Sequence, residues 1–222
     1  MSIIDTLGPI MIGPSSSHTA GACRLGKVCR DIVAAPFHCV VFYLHGSFAH
    51  TYHGHGTDRA LVAGVLGMEP DDPRLINSFA IAKERGLEYS FVPTDLGYVH
   101  PNTVKIVFTM DDGKERVIIG SSIGGGAILI KELDGIPVRL RAEKPTVVVK
   151  YHDQKGIINA VTDLLLEEKI NIASMEVTRN RKEATMIVEM DEQISSEVYK
   201  KVESIPGVTL VATIQGVKDA LS

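Results

Sequence analysis

The 222-residue chain has a mass of 24.1 kDa, which suits one large domain or two small ones. Hydrophobic residues at 45%, charged residues at 23% and a mean hydropathy of +0.12 describe a globular protein with a core and exclude a disordered one. With 23 basic against 27 acidic residues the net charge is −4, and aromatics are only 5% with no tryptophan, so neither a phosphate backbone nor stacked bases are suited partners.

In chain order, the segment 17–33 carries the helix-forming content of AGACRLGKVCRDIVA behind a run of serines able to cap it. HCVVFYL (38–44) reads as a buried strand. A short apolar helix follows from Thr57 to Leu66, closed by Gly67, and a second from Pro73 to Arg85, closed by Gly86. TVKIVFTM (103–110) and ERVIIGSSI (115–123), joined at Asp111-Asp112-Gly113, predict a hairpin, and AILIKEL (127–133) a further strand. The polar, proline-bearing RAEKPT (141–146) predicts a linker. After it, strand 146–151, helix 156–169, strands 171–180 and 183–190, helix 195–205 and strand 208–215 give the order β-α-β-β-α-β of a ferredoxin-like unit. The fold class is therefore α+β, with a mixed α/β domain over 1–142 and a ferredoxin-like domain over 146–222.

Three clusters in the first domain carry chemistry. Gly13-Pro14 forces a turn, after which Ser15, Ser16, Ser17, His18 and Thr19 place five hydrogen-bonding side chains at a helix entrance, an arrangement suited to a carboxylate or phosphate. A plain helix cap is the competing reading. His53-Gly54-His55-Gly56-Thr57-Asp58 presents two imidazoles from a glycine-flanked loop, for acid–base or substrate-binding work; a polar loop into a capped helix, or a metal site of His53, His55 and Asp58, are the alternatives. His100-Pro101-Asn102 and Ser121-Ser122-Ile123-Gly124-Gly125-Gly126 form the third: Asn102 can both donate and accept, and the glycines can wrap an anion, although a triple glycine also serves as a simple bend.

Cys23, Cys29 and Cys39 are an odd set with no CxxC pair, arguing against a disulfide framework and a complete four-cysteine metal site. Cys23 and Cys29 sit about 240° apart around a helix and read as small core residues. No apolar run approaches the ~20 residues of a membrane span, and MSIIDTLGPI lacks a basic leader region, so a cytoplasmic protein without membrane contact is expected.

Taken together, GPSSSHTAG, HGTD, HPN and SIGGG resemble the beta chain of bacterial two-chain iron–sulfur-dependent L-serine dehydratases, with residues from about 146 resembling the amino-acid-binding ACT domain appended to it. The first domain is also similar to an additional domain of some phosphoglycerate dehydrogenases. The resemblance implies an L-serine ammonia-lyase yielding pyruvate and ammonia, in which a [4Fe–4S] cluster held by cysteines of a separate alpha chain acts as Lewis acid on the leaving hydroxyl. It implies catalytic roles for His18 and His55, and substrate contacts from Ser15, Ser16, Ser17, Thr19, Thr57, Asp58, Asn102, Ser122, Gly124, Gly125 and Gly126. His53 carries no role over. In the ACT part it implies effector contacts from Asp153, Gly156, Ile157 and Asn171, with Lys155 standing where a proline is frequent, and homodimerisation through the sheet edge. Two other classes fit the residues: a regulatory amino-acid sensor without chemistry of its own, and a metal-dependent hydrolase built on the histidine loop.

Overall fold

The computed structural model describes residues 11–217, so the outermost residues of both expected domains, MSIIDTLGPI among them, lie outside the described residues. The chain divides into two compact units, Met1–Arg141 and Ala142–Ser222.

The first unit opens with a five-residue π-helical turn, Ser16–Ala20, which runs directly into α1 (Gly21–Val33). Buried Cys23, Leu25, Val28, Cys29, Ile32 and Val33 recur at helical spacing along α1, which explains why it forms and which face it buries. It ends where Ala34 turns left-handed. Strand β1 (Phe37–Leu44) follows, then α2 (Gly46–Thr51), α3 (Thr57–Val65), a 3-10 turn (Pro73–Asn77) and α4 (Ser78–Glu84). This helical crossover returns the chain to β2 (Glu88–Pro93), which pairs parallel with β1. Strands β3 (Thr103–Met110), β4 (Glu115–Gly124), β5 (Ala127–Leu133) and β6 (Ile136–Leu140) complete a six-stranded sheet in the order β2-β1-β3-β4-β5-β6. Every pairing except β1–β2 is antiparallel.

Alternating residues Val40, Phe42 and Leu44 of β1, with Val104, Ile106 and Phe108 of β3, are wholly buried. Two glycines let α1 and α3 cross at backbone contact. A Cβ on Gly26 would stand 2.5 Å from Leu61 O, and one on Gly64 would stand 2.0 Å from Cys23 O. That crossing fixes the distance between the turn before α1 and the loop before α3, the two segments bearing the candidate histidines.

The second unit runs β7 (Thr146–His152), α5 (Ile157–Glu167), β8 (Ile172–Asn180), β9 (Glu183–Met190), α6 (Ser196–Glu203) and β10 (Val208–Ile214). Its antiparallel sheet has the order β10-β7-β9-β8. Val147, Val149, Tyr151, Met186 and Val188 of the sheet pack on Ile157, Val161 and Leu165 of α5 and on Val198 and Val202 of α6. Strand β8 lies at one edge and is exposed over much of its length.

Three elements arise that the sequence pattern did not signal: α2, β2 and β6. The single helix expected over 17–33 is divided between the π turn and α1, and that expected over Pro73–Arg85 between the 3-10 turn and α4.

Candidate active site

The π turn sets the first half of the site. Ser15 caps it, its Oγ accepting the His18 N–H at 3.2 Å, and Gly21 N–H reaches back to Ser16 O. Gly13, at φ 142°, lies so close to Thr19 that a Cβ would come within 2.4 Å of Thr19 Cγ2. This is why glycine stands there.

His18 is held at both ring nitrogens by hydroxyls. Nε2 lies 2.9 Å from Ser47 Oγ, and Nδ1 lies 3.4 Å from Ser15 Oγ. The ring meets His55 edge-on, with centroids 4.9 Å apart at 80°, and meets Phe48 at 5.4 Å and 67°. Burial, and secondarily the neighbouring His55, hold the His18 imidazole below its usual pKa, so at neutral pH it is an uncharged base. Thr19 Oγ1 donates to His55 O at 3.3 Å, and His55 N–H donates to Thr51 O at 3.0 Å. These two tethers fix the His55 backbone while its side chain stays exposed. Ser16 and Ser17 are half-buried on the same turn.

Thr57 begins α3 directly after the histidine loop; it is wholly buried, and its Oγ1 has no hydrogen-bond partner among the described residues. Asp58, only 5% exposed, is committed on both oxygens: Oδ2 stands 2.9 Å from His53 Nδ1, and Oδ1 accepts the Arg59 N–H at 2.7 Å. Asp58 thus closes the loop around His55. His53, which carried no role from the sequence, is its partner and stacks on Tyr52 at 3.9 Å between centroids.

Asn102 donates its N–H to His100 Nδ1 at 3.1 Å, and its carbonyl takes the Ser122 N–H at 3.0 Å. Ser122 Oγ is buried without a hydrogen-bond partner among the described residues and packs beneath Gly21, where a Cβ would come within 2.0 Å of it. Asn102 and Ser122 thus stand together at the foot of the π turn. Gly125 and Gly126, with φ of 60° and 80°, make the two-residue turn between β4 and β5, and Gly124 (φ 106°) enters it. That turn accounts for the triple glycine as hairpin chemistry.

In the second unit the four candidate effector residues do not meet within one chain. The Asp153 carboxylate binds Arg179 at 2.6 Å from Nη2 and 2.7 Å from Nε, and Gly156 (φ 95°) begins α5. Ile157 is in the core, 2% exposed. Asn171 donates to Asp191 Oδ2 at 2.7 Å at the other end of the sheet. The register confirms the separation: His152 faces Glu183 opposite Asn180, whereas Thr146 faces Glu189 opposite Ser174. The length of β7, roughly 20 Å at 3.3 Å per residue, lies between Asp153 and Asn171.

Sequence reasoning missed Ser47 and Phe48. Both ride on α2, a six-residue helix whose GSFAHT carries no periodic pattern. Among the described residues no three His, Cys, Asp or Glu side chains gather closely enough to hold a metal ion. Two of the three thiols are poor cluster ligands: burial pushes Cys23 up to about 12 and Cys29 further, so both stay protonated, and Cys23 Sγ donates to Met68 O.

Residues 2–85 match the family model described as serine dehydratase beta chain, and residues 146–207 match the ACT domain. The chain is 45% identical to the L-serine dehydratase beta chain of Peptoniphilus asaccharolyticus, over 96% of this chain and 98% of that one. It is 39% identical to the probable L-serine dehydratase beta chain of Bacillus subtilis, over 96% and 97% of the two chains. It is 44% identical to the L-serine dehydratase TdcG of Escherichia coli, over 74% of this chain but only 42% of that one.

Proposed function

The chain belongs to the serine dehydratase beta-chain family, and from that premise we propose that it is the beta subunit of an L-serine ammonia-lyase, active together with an alpha chain. L-Serine loses water to give aminoacrylate, which takes water back on hydrolysis to pyruvate and ammonia. The observation that carries the reading is the His18–His55 pair, with His18 fixed between Ser15 and Ser47.

Elimination removes the proton α to the carboxylate, which needs an unprotonated base in a fixed orientation. Burial keeps His18 neutral, and its two hydroxyl partners define its ring plane. His55 is exposed beside it and meets its ring edge-on. Ser16, Ser17 and Thr19 lie on the same turn, and the buried hydroxyls of Thr57 and Ser122 adjoin its ends. Of these, the half-buried Ser16 and Ser17 supply hydrogen-bonding groups for serine's carboxylate and hydroxyl, while Thr19, bonded to His55 O, and the wholly buried Thr57 and Ser122 line the site from beneath. Asp58 acts on the loop, since its oxygens are already engaged.

The [4Fe–4S] cluster implied by the resemblance does not fit this chain, whose Cys23 and Cys29 thiols are buried and protonated and whose Cys39 stands as a single further thiol, and we assign it to the alpha chain. The matched region is less than half of the Escherichia coli relative, which agrees with a second functional part beyond it. Homodimerisation is assigned to β8. Two such edges pairing antiparallel about Met175 and Glu176 would set Asn171 of one copy beside the Asp153–Arg179 end of the other, uniting the effector residues that one chain keeps apart. Free cysteines suit a reducing compartment, and no described helix is long and apolar enough to cross a membrane; both accord with a cytoplasmic enzyme.

The test is anaerobic co-expression with the alpha chain and measurement of pyruvate from L-serine. His18→Ala and His55→Ala should each lower kcat/KM by roughly 100-fold or more. His38→Ala, whose ring is exposed and pairs with Asp111 at 3.3 Å, should not. Wild-type turnover in assembled His18 and His55 variants would remove the histidine pair from the mechanism.

A further inference from the structure

Tyr98 is fully exposed, more so than any other large apolar or aromatic side chain among the described residues. On a loose loop that would mean little. Here the connection from β2 to β3 is tied down along its length. Thr94 N–H donates to Leu44 O at 2.8 Å, Leu96 N–H to His45 Nδ1 at 3.1 Å, Gly97 N–H to Asp95 Oδ1 at 2.8 Å and Val99 N–H to Gly97 O at 2.9 Å. An aromatic ring is thus presented to solvent on a pre-ordered backbone, which lowers the entropy lost when a partner covers it. Tyrosine is also among the residues that most often dominate binding energy.

The loop adjoins the candidate active site at its C-terminal end. Its end at Pro101 packs against the start of α2, where a Cβ on Gly46 would lie 2.7 Å from Pro101 O. The next residue, Ser47, is the one that holds His18 Nε2. Asn102, on the loop's last turn, accepts the Ser122 N–H. A partner that covers Tyr98 and extends along the loop to Pro101 therefore reaches the helix whose Ser47 holds His18.

We propose that the rigid 94–102 loop is the docking element for the alpha chain, with Tyr98 as its anchor side chain. This rests on the reading that an alpha chain completes the site. That chain, and not a second copy, is the occupant for two reasons. The loop borders the site that needs a second polypeptide, whereas the unpaired β8 edge available to a second copy lies in the other unit. The Escherichia coli relative, moreover, carries a region matching this chain alongside a longer remainder in one polypeptide.

The experiment titrates the full chain with its alpha chain, reading complex formation by calorimetry and pyruvate production at each concentration. Tyr98→Ala should weaken association by about 30-fold or more, the scale of a binding hot spot, while turnover at saturating alpha chain matches wild type. Tyr98→Phe should retain most of the affinity. An unchanged melting temperature is expected for both, because the side chain packs against nothing. Wild-type affinity in Tyr98→Ala overturns the docking role alone. So does a loss of turnover that saturation does not restore, or a change in the self-association of the isolated chain on light scattering. Failure of the wild-type chain to bind the alpha chain overturns the two-chain reading as well.

Discussion

Gly64→Ala tests whether the crossing of α1 and α3 sets the geometry of the histidine pair. In an isolated helix this change would stabilise by about 1 kcal/mol through helix propensity. Here the new Cβ would stand 2.0 Å from Cys23 O and 2.7 Å from Lys27 N, both backbone atoms that no rotamer change can move. A carbon–oxygen contact settles near 3.3 Å, so the helices must part by roughly 1.3 Å along that line. Overpacking costs about 1–3 kcal/mol, and a clash against two backbone atoms belongs at the upper end of that range, which outweighs the propensity gain. A net loss near 2 kcal/mol would lower Tm by about 4–8 °C. Because His18 precedes α1 and His55 precedes α3, the same displacement separates the two rings, and a shift of about 1 Å at a reacting group can cost ~100-fold in turnover. Circular dichroism melts and the pyruvate assay with the alpha chain read the two effects. A variant that melts with wild type and turns serine over at the wild-type rate refutes the argument.

His18 and His100 are both held below the ordinary histidine pKa, chiefly by burial, with His55 and Lys131 as the secondary causes. The unfolded chain therefore binds more protons below about pH 6.5, so Tm should be highest above that value and fall as the solution is acidified to about pH 5.5, less steeply in His100→Gln; a Tm that rises toward acid contradicts this. Cys23 and Cys29 should resist iodoacetamide in the native protein at pH 8 and react only after unfolding, as mass spectrometry of the alkylated chain would show. Deleting the residues after Pro145 should abolish self-association on light scattering while leaving serine turnover with the alpha chain, and loss of all chemistry in an assembled complex would mean that essential groups lie in the second unit.

Strong periodic segments were legible in the sequence, and the reasons for the misses are physical. α1, α3, the β3–β4–β5 meander and all six elements of the second unit combine apolar repetition with glycine or polar punctuation. β2 and β6 lack that signature because both are edge strands. They need no two-sided apolar run, and each tolerates a proline, Pro93 and Pro137, that in a central strand would break the ladder. α2 is too short to show a period, so Ser47 went unseen, and with it the group that fixes His18. Asp58 was legible as important through its place in HGTD. That its oxygens are spent on His53 and Arg59 is a tertiary fact no spacing reveals. Asp153 and Asn171 share one functional expectation, yet strand register puts them at opposite ends of a sheet, a separation visible only once β7, β8 and β9 are paired.

Because the Gly21 N–H reaches five residues back to Ser16 O, the stretch from Ser16 through α1 contains one residue more than an α-helix of equal length would hold. Deleting a single serine from the run would let that turn close as ordinary helix, leave the spacing from His18 to α1 unchanged, and swing Ser15 and the Gly13 turn about 100° around the axis relative to His18. The triplet is therefore a spacer as much as a set of hydroxyls. Its length keeps Ser15 three residues before His18, where the Ser15 hydroxyl both caps the turn and meets the imidazole, and a chain that kept the serine chemistry but lost the count would leave the base without that partner.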